Sequence, residues 1–141
     1  MKKSKKLIVT VIDDELVLCN ALEKVFQILN CEVRTFQSPT TACNVSQKIG
    51  CNCINESACT DVLITDMKMP DINGLELLKL QRDCGCKALD SNKALMSALA
   101  TPQQQAEVKS LGCRFIQKPF KLPEIEQWIN ECKSRINKRL E

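Results

Sequence analysis

With 141 residues, the chain is long enough for one domain with its own core and too short for two ordinary ones. Its 44% apolar and 26% charged residues, with only 4 Gly and 5 Pro, exclude collagen-like and disordered chains. The formal charge of +3 belongs to the ends: residues 7–132 carry 12 basic against 16 acidic side chains, a balance that argues against nucleic-acid binding by the domain itself.

The elements follow one another in a regular alternation. Leu7-Ile8-Val9-Thr10-Val11-Ile12 is nearly continuous and β-branched, the pattern of a strand buried on both faces. Leu18, Leu22, Val25, Phe26 and Leu29 recur at helical spacing and predict a first helix over about 15–30. Glu32 to Phe36 reads as a more exposed strand, and Ser38-Pro39 opens a second helix, with Ser38 as cap and Pro39 in its first position. Asp61 to Asp66 is a third strand, apolar until its last residue, and Asn73-Gly74 leads into a third helix bearing Leu75, Leu77, Leu78 and Leu80. Lys93 to Ala98 is a weaker fourth strand. Thr101-Pro102 caps and starts a fourth helix that stops at Leu111-Gly112. Arg114 to Gln117 is a fifth strand, and a closing helix runs from Glu124 to about Arg139 with Ile125, Trp128, Ile129 and Ile136 on one face; Trp128 reads as core.

Five strand–helix units predict an α/β domain with a parallel sheet and helices on both faces, because parallel neighbours require right-handed crossovers. Ligands in such doubly wound folds bind beyond the carboxyl ends of the strands. Those ends hold Asp13 and Asp14 after the first strand, Asp66 on the third, Ser97 on the fourth and Lys118-Pro119 after the fifth. Three converging carboxylates repel unless a cation neutralises them, and an all-oxygen donor set selects a hard ion such as Mg²⁺. Lys118 adds a positive charge and Ser97 a donor hydroxyl, so the set describes a phosphoryl site in which Asp66 is placed to accept the group covalently. Asp13-Asp14-Glu15 alone would read as a solvated helix start, and it is the conjunction of four strand ends that favours a site. No P-loop or G-x-G-x-x-G is present to bind a nucleotide.

Val11-Ile12-Asp13-Asp14-Glu15, Leu63 to Glu76 around Asp66-Met67-Lys68-Met69-Pro70, Leu95-Met96-Ser97-Ala98 and Phe115 to Phe120 together resemble the receiver domains of bacterial response regulators in two-component signalling. The resemblance covers about residues 6–135 and implies a flavodoxin-like strand order of 2-1-3-4-5. It implies Asp66 as phosphoacceptor from a sensor histidine kinase or a small phosphodonor. Asp14 and Asp66 would hold Mg²⁺ directly, with the backbone carbonyl of Lys68 as a further ligand and Asp13 acting through water. Ser97 and Lys118 would contact the phosphoryl oxygens, with a cis Lys118-Pro119 bond. Phe115 would be the switch aromatic, here without a hydroxyl, although a Phe on a strand is also ordinary core. Lys68 reads equally as a neighbour of the attacking-water route and as a solvated loop lysine. The output face would be the fourth helix, fifth strand and closing helix, about 102–139, where a downstream effector docks and where dimerisation on phosphorylation is open. The chemistry expected is that of a signalling switch, with phosphorylation and dephosphorylation of its own Asp66.

Ten cysteines, about 7% of the chain, fall just short of a disulfide scaffold, and their reading depends on compartment. The basic start is followed by only six apolar residues before Asp13-Asp14-Glu15, too few for an export signal, and no run approaches a membrane span. A cytoplasmic chain with reduced thiols is therefore expected. Cys51, Cys53 and Cys59 lie in a polar insertion over about 50–60, and Cys84 and Cys86 in a second over about 83–92. Both loops feed the amino ends of adjacent strands, so their five thiols are expected to meet at the sheet edge opposite Asp66. Zn²⁺ bound by thiolates is one reading, iron–sulfur or redox chemistry a second, and free thiols a third. A receiver-fold metal or redox sensor built on that cluster is the alternative function. Cys19, Cys31, Cys43, Cys113 and Cys132 read as small core residues, with Cys43 a further candidate for the cluster.

Overall fold

The computed structural model describes residues 6–38, 60–69, 72–83 and 85–140. Strands β1 (Ile8–Ile12), β2 (Glu32–Phe36), β3 (Val62–Asp66), β4 (Lys93–Ser97) and β5 (Arg114–Gln117) alternate with helices α1 (Leu16–Ile28), α2 (Gly74–Asp83), α3 (Pro102–Ser110) and α4 (Leu122–Leu140). The strands form one sheet in the order β2-β1-β3-β4-β5, and every neighbouring pair is parallel. The second helix expected from Ser38-Pro39 falls outside the described residues.

Alternation along the central strands sorts the apolar side chains onto two faces. Val9, Val11, Ile64, Ala94, Met96 and Ile116 meet Cys19, Leu22 and Phe26 of α1 and Ile125, Trp128, Ile129 and Cys132 of α4. Ile12, Leu63 and Leu95 turn the other way, against Leu75, Leu77 and Leu78 of α2 and Val108 of α3. Residues of β1, β3 and β4 are buried almost without exception, as a doubly covered parallel sheet demands, whereas the edge strand β2 alternates exposed and half-buried. Trp128 is buried, in agreement with its reading as core.

Several ends match the local sequence signals. Thr101 accepts from Gln104 N while the Gln104 side chain accepts from Thr101 N, and Pro102 opens α3. Asn73 and Glu76 make the same reciprocal pair at the start of α2, at 2.8 and 3.3 Å. Gly112 stops α3 with φ of +80°, a conformation that a side chain would strain.

One position departs from expectation. Lys93, read as the first residue of a weak strand, is 1% exposed, and its Nζ makes no hydrogen bond among the described residues. Its nearest anion is Asp90 Oδ1 at 3.7 Å. The turn before it, Asp90–Asn92, is a single 3₁₀ turn tied to α4: Trp128 Nε1 donates to the Ser91 carbonyl at 3.3 Å, and Arg135 donates to that carbonyl at 2.9 Å and to Asn92 Oδ1 at 2.7 Å. Among the described residues no helix is long and apolar enough to cross a membrane.

Candidate functional site

The parallel sheet brings its carboxyl ends to one edge, and the acidic residues of distant segments meet there. Asp66 closes β3 and is 7% exposed; Asp13 follows β1 and is 2% exposed; Asp14 beside it is exposed. Carboxylate oxygens of all three lie within 4.8 Å of one another. Lys118, just past β5, reaches into the group and donates to Asp66 Oδ1 at 3.0 Å and to Asp13 Oδ2 at 3.2 Å. The Lys118-Pro119 bond is cis, as the resemblance to receiver domains implied.

The backbone around these side chains is held at many points. Asp13 N donates to the Phe36 carbonyl at 3.0 Å, extending the β1–β2 ladder by one residue. Asp13 Oδ1 accepts from Glu15 N at 2.9 Å, a local turn that starts α1. Lys118 N donates to the Ser97 carbonyl and Met67 N to the Met96 carbonyl, both at 3.0 Å, so the loops after β3 and β5 are fastened to β4.

Electrostatics follow from this partial burial. Desolvation raises the Asp66 carboxyl above the ordinary carboxylate value, and the Lys118 hydrogen bond only partly offsets it. Asp13 is raised for the same reason, against the opposing Glu15 N–H and Lys118 charge. Burial alone would depress the Lys118 ammonium, but its hydrogen bond to Asp66 and the two carboxylate charges outweigh that and raise it. Two buried carboxyls, a third beside them and one ammonium leave an excess of negative charge. The donor set is all oxygen, which suits a hard divalent ion completed by water or phosphate oxygens.

Other candidates take up distinct places. Ser97 ends β4 and is 6% exposed; its Oγ accepts from Leu99 N at 3.2 Å, which leaves the hydroxyl hydrogen for another acceptor. Phe115 is half-buried and packs against the α2–α3 side of the core. Lys68, two residues beyond Asp66, is exposed. Beside Lys118 a cavity of about 300 Å³ is lined by Glu15, Leu18, Ala98, Lys118, Pro119 and Phe120. A larger groove of about 600 Å³ lies along the outer surface of α4, lined by residues such as Glu126 and Glu131 and by none of the strand-end groups.

Cys19, Cys31, Cys113 and Cys132 are buried, in agreement with their reading as core. Burial pushes the Cys113 thiol up to about 11 and the Cys132 thiol up to about 12. Of the loop thiols, Cys51, Cys53, Cys59 and Cys84, and with them Cys43, lie outside the described residues. Cys86 is half-buried just beyond α2, where its N–H donates to the Gln81 carbonyl at 2.9 Å.

Two features of the site escaped the sequence reading. Gly74 looked like a helix lead-in, yet a Cβ there would stand 2.2 Å from the Asp66 carbonyl oxygen. Its own N–H donates to Met67 O at 2.8 Å. The Asn73-Gly74 pair, coming soon after a strand-end Asp, is the only local signal of that close approach. Cys19 looked like packing alone, yet its thiol donates to the Asp13 carbonyl at 3.2 Å, and no local pattern marks that contact.

Comparison with known proteins agrees with this architecture. The sequence model described as "Response regulator receiver domain" matches residues 9–130. No curated protein matches the chain. A response regulator receiver domain protein from Clostridium thermocellum is 24% identical over 96% of this chain and 99% of its own, with a TM-score of 0.76. The Francisella response regulator 1452 receiver domain is 22% identical over 93% and 99%, with a TM-score of 0.74. The beryllofluoride-activated NtrC4 receiver domain dimer is 16% identical over 91% and 97%, with a TM-score of 0.73. At these identities the solved structures share the fold.

Proposed function

Since this chain belongs to the response regulator receiver domain family, we propose that it is a phosphoacceptor switch that takes a phosphoryl group on Asp66. The observation that carries the reading is the bridging of Asp66 and Asp13 by one lysine, within a group of three carboxylates less than 5 Å across.

In the proposed step a carboxylate oxygen of Asp66 attacks phosphorus, an O–P bond forms, and the bond from phosphorus to the donor breaks. The donor leaves with that electron pair, as the imidazole of a histidine kinase or as the carboxylate of a small acyl phosphate. Asp13, Asp14 and Asp66, with the Lys68 carbonyl, would hold Mg²⁺, which when bound supplies charge neutralisation to the phosphoryl oxygens. Lys118 is positioned to pair with a phosphoryl oxygen, exchanging part of its bond to Asp66 for a stronger, more highly charged acceptor. Ser97 has the hydrogen to donate to another. Water attacking the same phosphorus later releases phosphate and returns the carboxylate.

The switching part of the reading is local. A phosphoryl group adds charge and strong acceptors, and Ser97 and Lys118 gain by moving toward it. Phe115 on β5 is half-buried next to these elements, and the surface over about 102–139 is the proposed face for an effector or a second copy. Kinase and effector are proposed partners of the domain in the cytoplasm.

Intact-mass measurement after incubation with Mg²⁺ and acetyl phosphate tests the reading. One phosphoryl adduct is expected on the unmodified chain, none without Mg²⁺ and none on Asp66→Asn. No adduct on the unmodified chain would refute it.

A further inference from the structure

Strand pairing holds Asp13 N, a turn and Lys118 hold the Asp13 carboxylate, and Gln37 Nε2 donates to the Asp14 carbonyl at 3.5 Å; the Asp13 carbonyl is engaged by none of these. The Asp13 carbonyl belongs to the peptide that joins the two acidic residues, so its direction sets the relation between their side chains. It lies past the last β1 residue, where the ladder to β2 has ended with Asp13 N on the Phe36 carbonyl. Among the described residues, its hydrogen-bond donor is the Cys19 thiol, at 3.2 Å. The same sulfur is 3.9 Å from the Phe36 carbonyl, so it stands between the ends of β1 and β2.

From this geometry we infer that Cys19 is a positioning residue for the acidic pair: its S–H holds the Asp13–Asp14 peptide in the orientation that lets both carboxylates converge on Asp66. The inference rests on the reading of that cluster as a Mg²⁺ and phosphoryl site. Cys19 sits in the first turn of α1, 1% exposed and packed among Leu22, Phe26 and the β1 side chains, so it cannot swing away. A buried carbonyl without a partner is costly, and on losing the thiol the peptide would rotate toward another donor. Asp14 is the residue that such a rotation displaces most, since it follows the moved peptide directly and its carboxylate is exposed rather than packed. A thiol that merely filled space would be replaceable by any side chain of similar size.

The test compares Cys19→Val, apolar, without a donor and larger by about one methylene, with Cys19→Ser, smaller but with a donor. The measurement is the Mg²⁺ dissociation constant by calorimetry, with thermal midpoints in parallel. Cys132→Ala, in the core at a distance from the site, serves as the control for lost packing. Cys19→Val should weaken Mg²⁺ binding by about two- to five-fold, the lower part of the range that one hydrogen bond is worth net, since a thiol is a weak donor. Cys19→Ser should bind as the unmodified chain does even where its midpoint falls, and Cys132→Ala should lose stability with its Mg²⁺ affinity unchanged. Equal affinity for Cys19→Val and the unmodified chain would overturn the inference, as would equal weakening by Val and Ser. Should Cys19→Val not fold, Cys19→Ala against Cys19→Ser decides the same point. Failure of the unmodified chain to bind Mg²⁺ would instead overturn the function proposed for the site, and this inference with it.

Discussion

Gly74→Ala is a small perturbation that reaches the proposed phosphoacceptor, Asp66, from outside the site. The added methyl would begin 2.2 Å from the Asp66 carbonyl oxygen and 3.1 Å from its carbon, with Leu95 Cδ1 at 3.2 Å. Reaching the 3.4 Å at which ordinary contact begins requires about 1.2 Å of separation. The obstacle is backbone at the end of a buried strand, which cannot give as a flexible side chain could, so β3 and the start of α2 must move apart. Overpacking of this kind costs about 1–3 kcal/mol, against which the helix preference of Ala over Gly returns at most about 1 at a first-turn position. A net loss of about 2 kcal/mol corresponds to a fall of about 6 °C in the thermal midpoint for a chain of this length. The same displacement carries Asp66 away from Lys118 and the acidic pair, and misplacement by about 1 Å lowers rates roughly 100-fold. Calorimetry and the rate of phosphoryl uptake from acetyl phosphate measure the two effects. A Gly74→Ala protein that melts within about 1 °C of the parent and phosphorylates at its rate would refute the close approach as a constraint.

Other outcomes follow from the charges and thiols. Asp13 and Asp66 have carboxyls raised above the ordinary 3.8, so between that value and their native values the folded chain holds more protons than the unfolded one. Without metal, stability therefore rises as pH falls through that window; with saturating Mg²⁺ the slope reverses, because the ion requires charged carboxylates. Urea titrations at a series of pH values, on the parent and on Asp13→Asn, measure both slopes. Lys118 is raised above 10.5, so its contribution is whole below that value and is lost as pH climbs through the native one. Lys118→Met should destabilise the metal-free chain at neutral pH by roughly 2 kcal/mol, since it leaves two buried carboxylates without their cation, and Mg²⁺ should recover part of the loss. Denaturant midpoints with and without Mg²⁺ provide the comparison. Burial predicts that Cys19, Cys31, Cys113 and Cys132 resist alkylation at pH 8 until urea unfolds the chain, while half-exposed Cys86 reacts first among the described thiols. Peptide mass analysis of the labelled protein reads each site separately.

Much of this protein is written locally. Short apolar runs separated by amphipathic stretches point to a parallel sheet covered on both faces, because strand–helix alternation favours crossover connections, while the strand order came only from the resemblance; Thr101-Pro102 and Leu111-Gly112 carry the chemistry of a helix start and stop in the residues themselves. The strand-end rule then places Asp13, Asp14, Asp66, Ser97 and Lys118 on one edge, since a parallel sheet sends all its carboxyl ends the same way. What local pattern cannot carry is contact between side chains and backbone of different units. Whether Lys118 bridges Asp66 and Asp13, whether Gly74 has room for a methyl beside the Asp66 carbonyl and whether the Cys19 thiol meets the Asp13 peptide all depend on how far α1, α2 and β5 sit from the ends of β1 and β3. The buried Lys93 and the anchoring of Ser91 and Asn92 by Trp128 and Arg135 belong to the same class, because burial of a residue near a strand end is set by what packs over it. The sequence by itself determined the order of the elements and the chemical groups at their ends; the tertiary structure alone decided which of those groups touch, because angstrom-scale distances come from helices packing on a sheet and not from spacing along a chain.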